Sequence, residues 1–300
     1  MAVNRVEIKD FLVFKGEFAM DFCPSVNVFI GNNGTGKTTL LKAMYENIKT
    51  IIGHRALPNI PGKIVFDIGQ KVLSNVTEVS RAVYIPEKDI LEHAKGLLTF
   101  VDQKDNDFSS IYRDVLITAQ DSDNKNQTDT QKAITATITG EVGGRVEWAP
   151  SEGRYYTVHA DGTHIPFSNE ASGFKKLGYL ELLVRTGHLE HGSVLFWDEP
   201  ENSLNPELVP ILVDVLLMLS QKGVQIFIAT HSDFLCKWLE LKTSDSNSAE
   251  IKFFSLYKEG VGISAETSKN YRSLIHNSII EQSIELYNEH LRRATEHDED

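Results

Sequence analysis

Two short stretches carry residue types that handle phosphate and metal. Gly31-Asn32-Asn33-Gly34-Thr35-Gly36-Lys37-Thr38-Thr39 fits G-x-x-x-x-G-K-[ST], a loop whose backbone N–H groups cradle phosphates. Its glycines allow a tight turn and a close approach to anionic oxygens. A helix starting at about Lys37 adds the positive end of its dipole. In that setting Lys37 reaches the β- and γ-phosphates and the Thr38 hydroxyl ligates Mg²⁺. Asn32, Asn33, Gly34, Thr35, Gly36 and Thr39 complete the cradle. The second stretch, Val194-Leu195-Phe196-Trp197-Asp198-Glu199-Pro200, is an apolar strand ending in two adjacent carboxylates. Asp198 suits the metal shell, and Glu199 suits polarising a water for in-line attack. An acidic turn after a strand says little alone. Paired with the glycine-rich loop, it implies binding and hydrolysis of ATP.

The surrounding pattern must place these residues. Val3 to Ile8 alternates apolar and polar residues, and Val26 to Ile30 is nearly all apolar, so both read as strands. Thr38 to Ile48 reads as a helix with Leu40, Leu41, Met44 and Ile48 on one side. Lys63 to Ile68 and Arg81 to Ile85 are further strands, the second ended by Pro86. Residues 88 to 135 read as largely helical, broken by the polar loop Asp121 to Thr130. Arg145–Trp148, Tyr155–His159 and His164–Phe167 read as short strands, with Asp161-Gly162 as a hairpin turn. Past residue 190 come strand Val194–Trp197, a buried helix Glu207–Gln221, strand Val224–Ala229 and a late strand Ile251–Tyr257. This alternation predicts an α/β fold with a parallel sheet between helices. Ile280, Ile284, Tyr287 and Leu291 form one stripe on a final helix. Residues 1–86 and 191–300 read as a nucleotide-binding core, and 87–190 as an inserted helical/β lobe.

Three hundred residues allow a core that needs no staples. Cys23 and Cys236 show no disulfide or zinc spacing, which fits a reducing compartment. The N-terminus lacks the basic-then-apolar order of a signal peptide. The stretch Leu208 to Leu219 holds Pro210 and Asp214 and is too short to span a bilayer. These features predict a cytoplasmic protein with no membrane partner. A net charge of −12 argues against nonspecific coating of nucleic acid, while leaving a local basic patch open. The acidic run Glu296 to Asp300 reads as a solvated tail.

Further residues carry a resemblance. Glu170-Ala171-Ser172-Gly173-Phe174-Lys175-Lys176-Leu177 looks like the signature motif of ABC-type ATPases, usually written LSGGQ, with Phe174 and Lys175 in place of Gly and Gln. Pro200-Glu201-Asn202-Ser203-Leu204-Asn205-Pro206 is similar to their D-loop. Ala229-Thr230-His231-Ser232 follows a strand, as their switch histidine does. The opening Ile8-Lys9-Asp10-Phe11, followed by Val26 to Gly34, most resembles the SMC/RecF/OLD branch. The resemblance implies a P-loop NTPase fold of ABC type, a mixed β-sheet flanked by helices, with the signature in the inserted lobe. Ser172 and Gly173 would open a helix capped by the serine, facing the γ-phosphate on a partner subunit. Two chains would then sandwich two ATP with Mg²⁺. His231 would contact the γ-phosphate and join Glu199 and Lys37 in catalysis. Where the family has a Q-loop Gln, this chain has Ile85-Pro86-Glu87-Lys88, which leaves two alternatives: Glu87 substitutes, or the lobe signals differently. Phe14 and Lys15 are positional candidates for adenine, with Phe14 equally readable as core.

An ATP-closed dimer is a switch whose output depends on what it holds. The resemblance extends to small ATP-binding proteins encoded beside nuclease or toxin partners in bacterial antiviral systems. It implies a homodimer, open to higher oligomers, that controls a separate effector protein. A RecF-like, ATP-dependent DNA-binding repair factor stays open as an alternative, with nucleic acid as its partner. A transport-associated ATPase ranks last.

Overall fold

A computed structural model describes residues 3–52, 63–68, 71–72, 79–101, 110–245 and 249–297. The chain opens with the hairpin β1 (Val3–Phe11) and β2 (Phe14–Asp21), then β3 (Val26–Gly31), the glycine-rich loop and α1 (Lys37–Ile52). β4 (Lys63–Ile68), β5 (Lys71–Val72) and β6 (Arg81–Ile85) follow. Next come α2 (Ala94–Val101), α3 (Ser110–Thr118) and α4 (Asp129–Val142), the meander β7 (Gly144–Ala149), β8 (Arg154–His159) and β9 (His164–Pro166), and α5 (Ser172–Arg185). The last third holds β10 (Ser193–Asp198), α6 (Val209–Gln221), β11 (Gln225–Ala229), α7 (Asp233–Asp245), β12 (Ile251–Glu259), β13 (Gly262–Ser268) and α8 (Ser278–His297).

A six-stranded sheet runs in the order β13-β12-β3-β11-β10-β6. Five strands are parallel and β13 is antiparallel at the edge, so the sheet is mixed. Every residue of β3, β10 and β11 is buried. Parallel strands covered on both faces need such continuous apolar runs. On one face Phe196, Phe227, Phe29 and Phe254 form a row across four neighbouring strands, with centroids 5.1, 6.3 and 5.2 Å apart in turn. Each buried phenyl contributes about 2 kcal/mol. Leu40, Leu41, Met44 and Ile48 of α1 cover that row, as their spacing predicts. On the other face Val28, Ile30, Leu195, Trp197, Ile226 and Ile228 pack with α4, α5, α6 and α7.

A second, antiparallel sheet runs β2-β1-β4-β5, and the meander β7-β8-β9 forms a third. The sequence reading lacked β2 and β13. Both are edge strands with exposed polar residues. The polar loop before α4 ends in a capping box at Thr128 with Gln131. Its Asp121 accepts from His188 at 2.9 Å, and Asp123 pairs with Arg185, so the loop is tied to the end of α5. The stripe on α8 is a different case. Ile280 packs against the core, but Ile284, Tyr287 and Leu291 are exposed. The tail residues 298–300 lie outside the described residues, as do the side chains of 296 and 297. Cys23 and Cys236 are buried free thiols. Among the described residues no helix is long and apolar enough to cross a membrane.

Candidate functional site

Three neighbouring strands inside the six-stranded sheet, β3, β11 and β10, end side by side at its carboxyl end. The register pairs Asp198 with Ala229 and Ala229 with Phe29. The glycine-rich loop therefore leaves β3 beside the Asp198-Glu199 pair leaving β10 and Thr230-His231 leaving β11. Ligands of open α/β sheets bind in this crevice beyond the carboxyl ends of the strands.

The loop is shaped by its contacts. A Cβ at Gly31 (φ +139°) would lie 2.1 Å from the Leu256 carbonyl oxygen, so only glycine fits there. Gly36 (φ +91°) presses on Val13 and Phe14 of the first hairpin, where a Cβ would meet them at 2.7 and 2.8 Å. Thr35 is buried and its hydroxyl donates to the Asn32 carbonyl at 2.8 Å. Asn32, Asn33 and Gly34 are exposed, and Thr38 and Thr39 are half-buried. Lys37 is 6% exposed, and its Nζ donates to the carbonyls of Gly31 (2.8 Å) and Asn32 (3.2 Å). Burial lowers its pKa to about 8, against the opposing pull of Glu199 and Asp198.

The Thr38 hydroxyl donates to Asp198 Oδ1 at 3.1 Å, and the Tyr84 hydroxyl donates to Oδ2 at 3.3 Å. Burial raises the Asp198 pKa, with the Thr38 hydrogen bond and Lys42 opposing. A hydroxyl and a carboxylate at one point are hard oxygen donors, which Mg²⁺ takes together with substrate phosphates. The site thus fits a nucleotide triphosphate with Mg²⁺, both through this donor pair and through the glycine-lined cradle.

Glu199 adopts φ +49°, the left-handed region. Its N–H donates to the Ala229 carbonyl at 2.8 Å, and its Oε1 lies 3.6 Å from His231 Nε2. Burial raises its pKa, reinforced by Glu87, Glu201 and Asp198. A carboxylate raised in this way is a better proton acceptor near neutral pH. Burial, and then the Lys37 charge, lower the His231 pKa and favour the neutral ring. Glu201 anchors this loop: its Oε1 accepts from the Thr230 hydroxyl and from the His231 N–H at 3.3 Å.

Not every residue read from the sequence converges here. Lys37, Thr38, Asp198, Glu199 and His231 come together. Ser172 and Gly173 do not: among the described residues no hydrogen bond joins them to the loop. Gly173 instead abuts the D-loop segment, where a Cβ would lie 3.3 Å from the Ser203 carbonyl oxygen and 3.2 Å from Leu204 Cδ1. Ser172 is also not the cap of α5. Ala171 occupies that position without a side-chain hydrogen bond, and Ser172 is an exposed first helical residue. Phe14 is fully buried and belongs to the core, while Lys15 is exposed. Glu87 is exposed at the rim and accepts from Asn202 Nδ2 at 3.1 Å. Tyr84, Glu201 and Lys176 were not singled out from sequence. Tyr84 had a signal, since it sits on a strand flanking β10. Lys176 had none, because a lysine beside another lysine reads as solvated surface.

Known proteins show the same organisation. The family model described as "AAA domain, putative AbiEii toxin, Type IV TA system" matches residues 81–237, more than half of the chain. The chain belongs to this AAA family. A second model, an AAA ATPase domain, matches residues 1–50 of the AAA protein, which include the glycine-rich loop. The fold is that of SMC heads. One solved neighbour is an Smc head bound to the C-winged helix domain of ScpA, 12% identical, with a TM-score of 0.54, covering 89% of this chain and 98% of that one. The SMC head domain from Thermotoga maritima is 12% identical with a TM-score of 0.51, covering 89% and 99%. The DNA replication and repair protein RecF of Lactobacillus gasseri is 53% identical over 45 residues, 15% of this chain. The AAA chain spans only 12% of that relative's length. The family model thus makes the protein an AAA domain, and the solved neighbours share its fold.

Proposed function

We propose that this AAA protein binds and hydrolyses ATP as a switch, closing head-to-tail with a second copy around two ATP and Mg²⁺. The observation that carries the reading is the convergence of Lys37, Thr38, Asp198, Glu199 and His231 at three adjacent strand ends. The loop N–H groups and Lys37 bind the β- and γ-phosphates. Thr38 and Asp198 hold Mg²⁺, which when bound neutralises charge between those phosphates. Glu199 orients the attacking water and draws off its proton, and His231 stands beside the γ-phosphate. Ser172 and Gly173 complete the pocket of the other copy, through the N-terminus of α5. Residues 1–86 with 191–300 act as the nucleotide-binding core, and 87–190 as the lobe that presents the signature.

The closed dimer controls a separate effector, a nuclease or toxin, in bacterial defence within the cytoplasm. The toxin–antitoxin description of the family model supports this. The test is Glu199→Gln. The variant keeps ATP binding and accumulates as a dimer with saturating ATP and Mg²⁺. A variant that stays monomeric there ends the switch reading.

The short, strong match to RecF favours a second reading, a DNA-binding factor in which the closed dimer holds duplex DNA. It predicts ATP-dependent DNA binding with a steep negative salt slope. No binding at low salt removes it.

A further inference from the structure

Lys176 has no part in the reading above, yet it occupies a costly position. It lies in the opening turns of α5, where a cation opposes the helix dipole, and it is 8% exposed. Burial disfavours its ammonium, and the charges of Glu201, Glu199, Glu87 and Asp198 favour it. The hydrogen bond it makes is to main chain: Nζ donates to the Glu199 carbonyl oxygen at 2.6 Å. A non-glycine residue at φ +49° persists only where its surroundings over-determine it. Glu199 has three such anchors: its N–H is held by the Ala229 carbonyl at 2.8 Å, and its carbonyl accepts from the Asn202 N–H at 3.1 Å within the turn and, more closely, from Lys176 outside it.

We propose that Lys176 is a positioning residue: its ammonium clamps the main chain of Glu199 in the left-handed turn that aims the carboxylate toward His231. Lys176 lies one turn behind Ser172 on the same helix. It therefore ties the end of α5 that faces a partner copy to the carboxylate of its own chain. The inference rests on the reading of Glu199 as the group that activates water. It requires no direct contact between Lys176 and nucleotide.

The test compares Lys176→Met, Lys176→Gln and Lys176→Arg in the full chain. The first readout is amide hydrogen exchange of residues 199–203 without nucleotide, which rises about tenfold in Lys176→Met as the turn loosens. The second is the split between kcat and affinity. Lys176→Met lowers kcat about 30- to 100-fold while the Kd for ATP stays within about twofold, the pattern of a misplaced catalytic group. Lys176→Arg, which keeps a cationic donor, restores kcat to within about fivefold. Lys176→Gln is measured alongside, so that loss of fold in one variant leaves the comparison standing. Unchanged exchange with kcat within about threefold of wild type overturns the inference, as does an ATP affinity that falls in step with kcat. A Glu199→Gln control separates the two claims. Wild-type hydrolysis by that control would remove the role of Glu199, while the exchange result would still report the clamp.

Discussion

Two helices of this protein begin with small residues and lysine, and their first turns are put to opposite uses. At α1 the chain wraps its own loop around the helix start. Lys37 is drawn into the loop, Gly36 is pressed against the first hairpin, and Thr38 meets Asp198. At α5 the two lysines are drawn inward, away from the helix end. Lys175 pairs with Glu92, and Lys176 reaches the Glu199 carbonyl. Ser172 is left exposed at the tip, with Gly173 fitted against the D-loop. Both first turns present N–H groups without helical acceptors. The first is enclosed by Asp198 and the first hairpin of the same chain, and the second leaves Ser172 exposed. The difference is what the proposed function builds on, with the cradle taken from one copy and the α5 tip from the other.

Four measurements sharpen or break this contrast. Glu199→Gln lowers kcat about 10³-fold, the range for losing a general base, with ATP affinity retained in a filter-binding or fluorescent-nucleotide assay. Lys37→Ala raises the Kd for ATP about 100-fold, because a charged donor to the phosphates is lost. Ser172→Arg leaves nucleotide binding by the monomer unchanged but lowers hydrolysis about 30-fold, as expected for blocking a central interface residue. If Ser172→Arg instead weakened binding by the monomer, the cap would belong to its own pocket.

The smallest effect is in pH. The Lys37 pKa in the folded chain is about 8, below the ordinary 10.5, so folding disfavours its charged form. Below pH 8 the ammonium is charged in both folded and unfolded chains, and the burial penalty is fully present. Between 8 and 10.5 the folded chain sheds the proton first, so this group's contribution to stability improves as pH rises. Phosphate needs the charged form, so ATP affinity falls by up to about tenfold per pH unit above that point. Lys37→Ala flattens the dependence.

How much of this was legible in the sequence differs by region. The glycine-rich loop was readable from the spacing of its glycines and Lys37, and the strands before Asp198 and Thr230 from their runs of apolar residues, which strands buried on both faces favour. The α1 stripe was readable for the same reason, since Leu40, Leu41, Met44 and Ile48 must cover the phenylalanine row. β2 and β13 escaped because edge strands expose polar side chains and break the alternation. The cap of α5 was misplaced by one residue. Serine is a strong capping type, but here the chain presents it outward and leaves Ala171 at the cap. Lys176 was illegible because its burial and its contact with the Glu199 carbonyl join residues 23 apart in sequence, which only the fold brings together. The stripe on α8 was legible as a pattern, but Ile284, Tyr287 and Leu291 are exposed.

Mixing two impaired variants, at an ATP concentration well below the Kd of Lys37→Ala, tests the divided pocket most directly. Lys37→Ala supplies an intact α5 tip and Ser172→Arg supplies an intact cradle. In the closed pair around two ATP their mixture rebuilds one whole pocket in each mixed pair, giving about a quarter of wild-type hydrolysis. Activity no greater than the sum of the two variants alone would show that each chain works with its own pocket only, and would contradict the account.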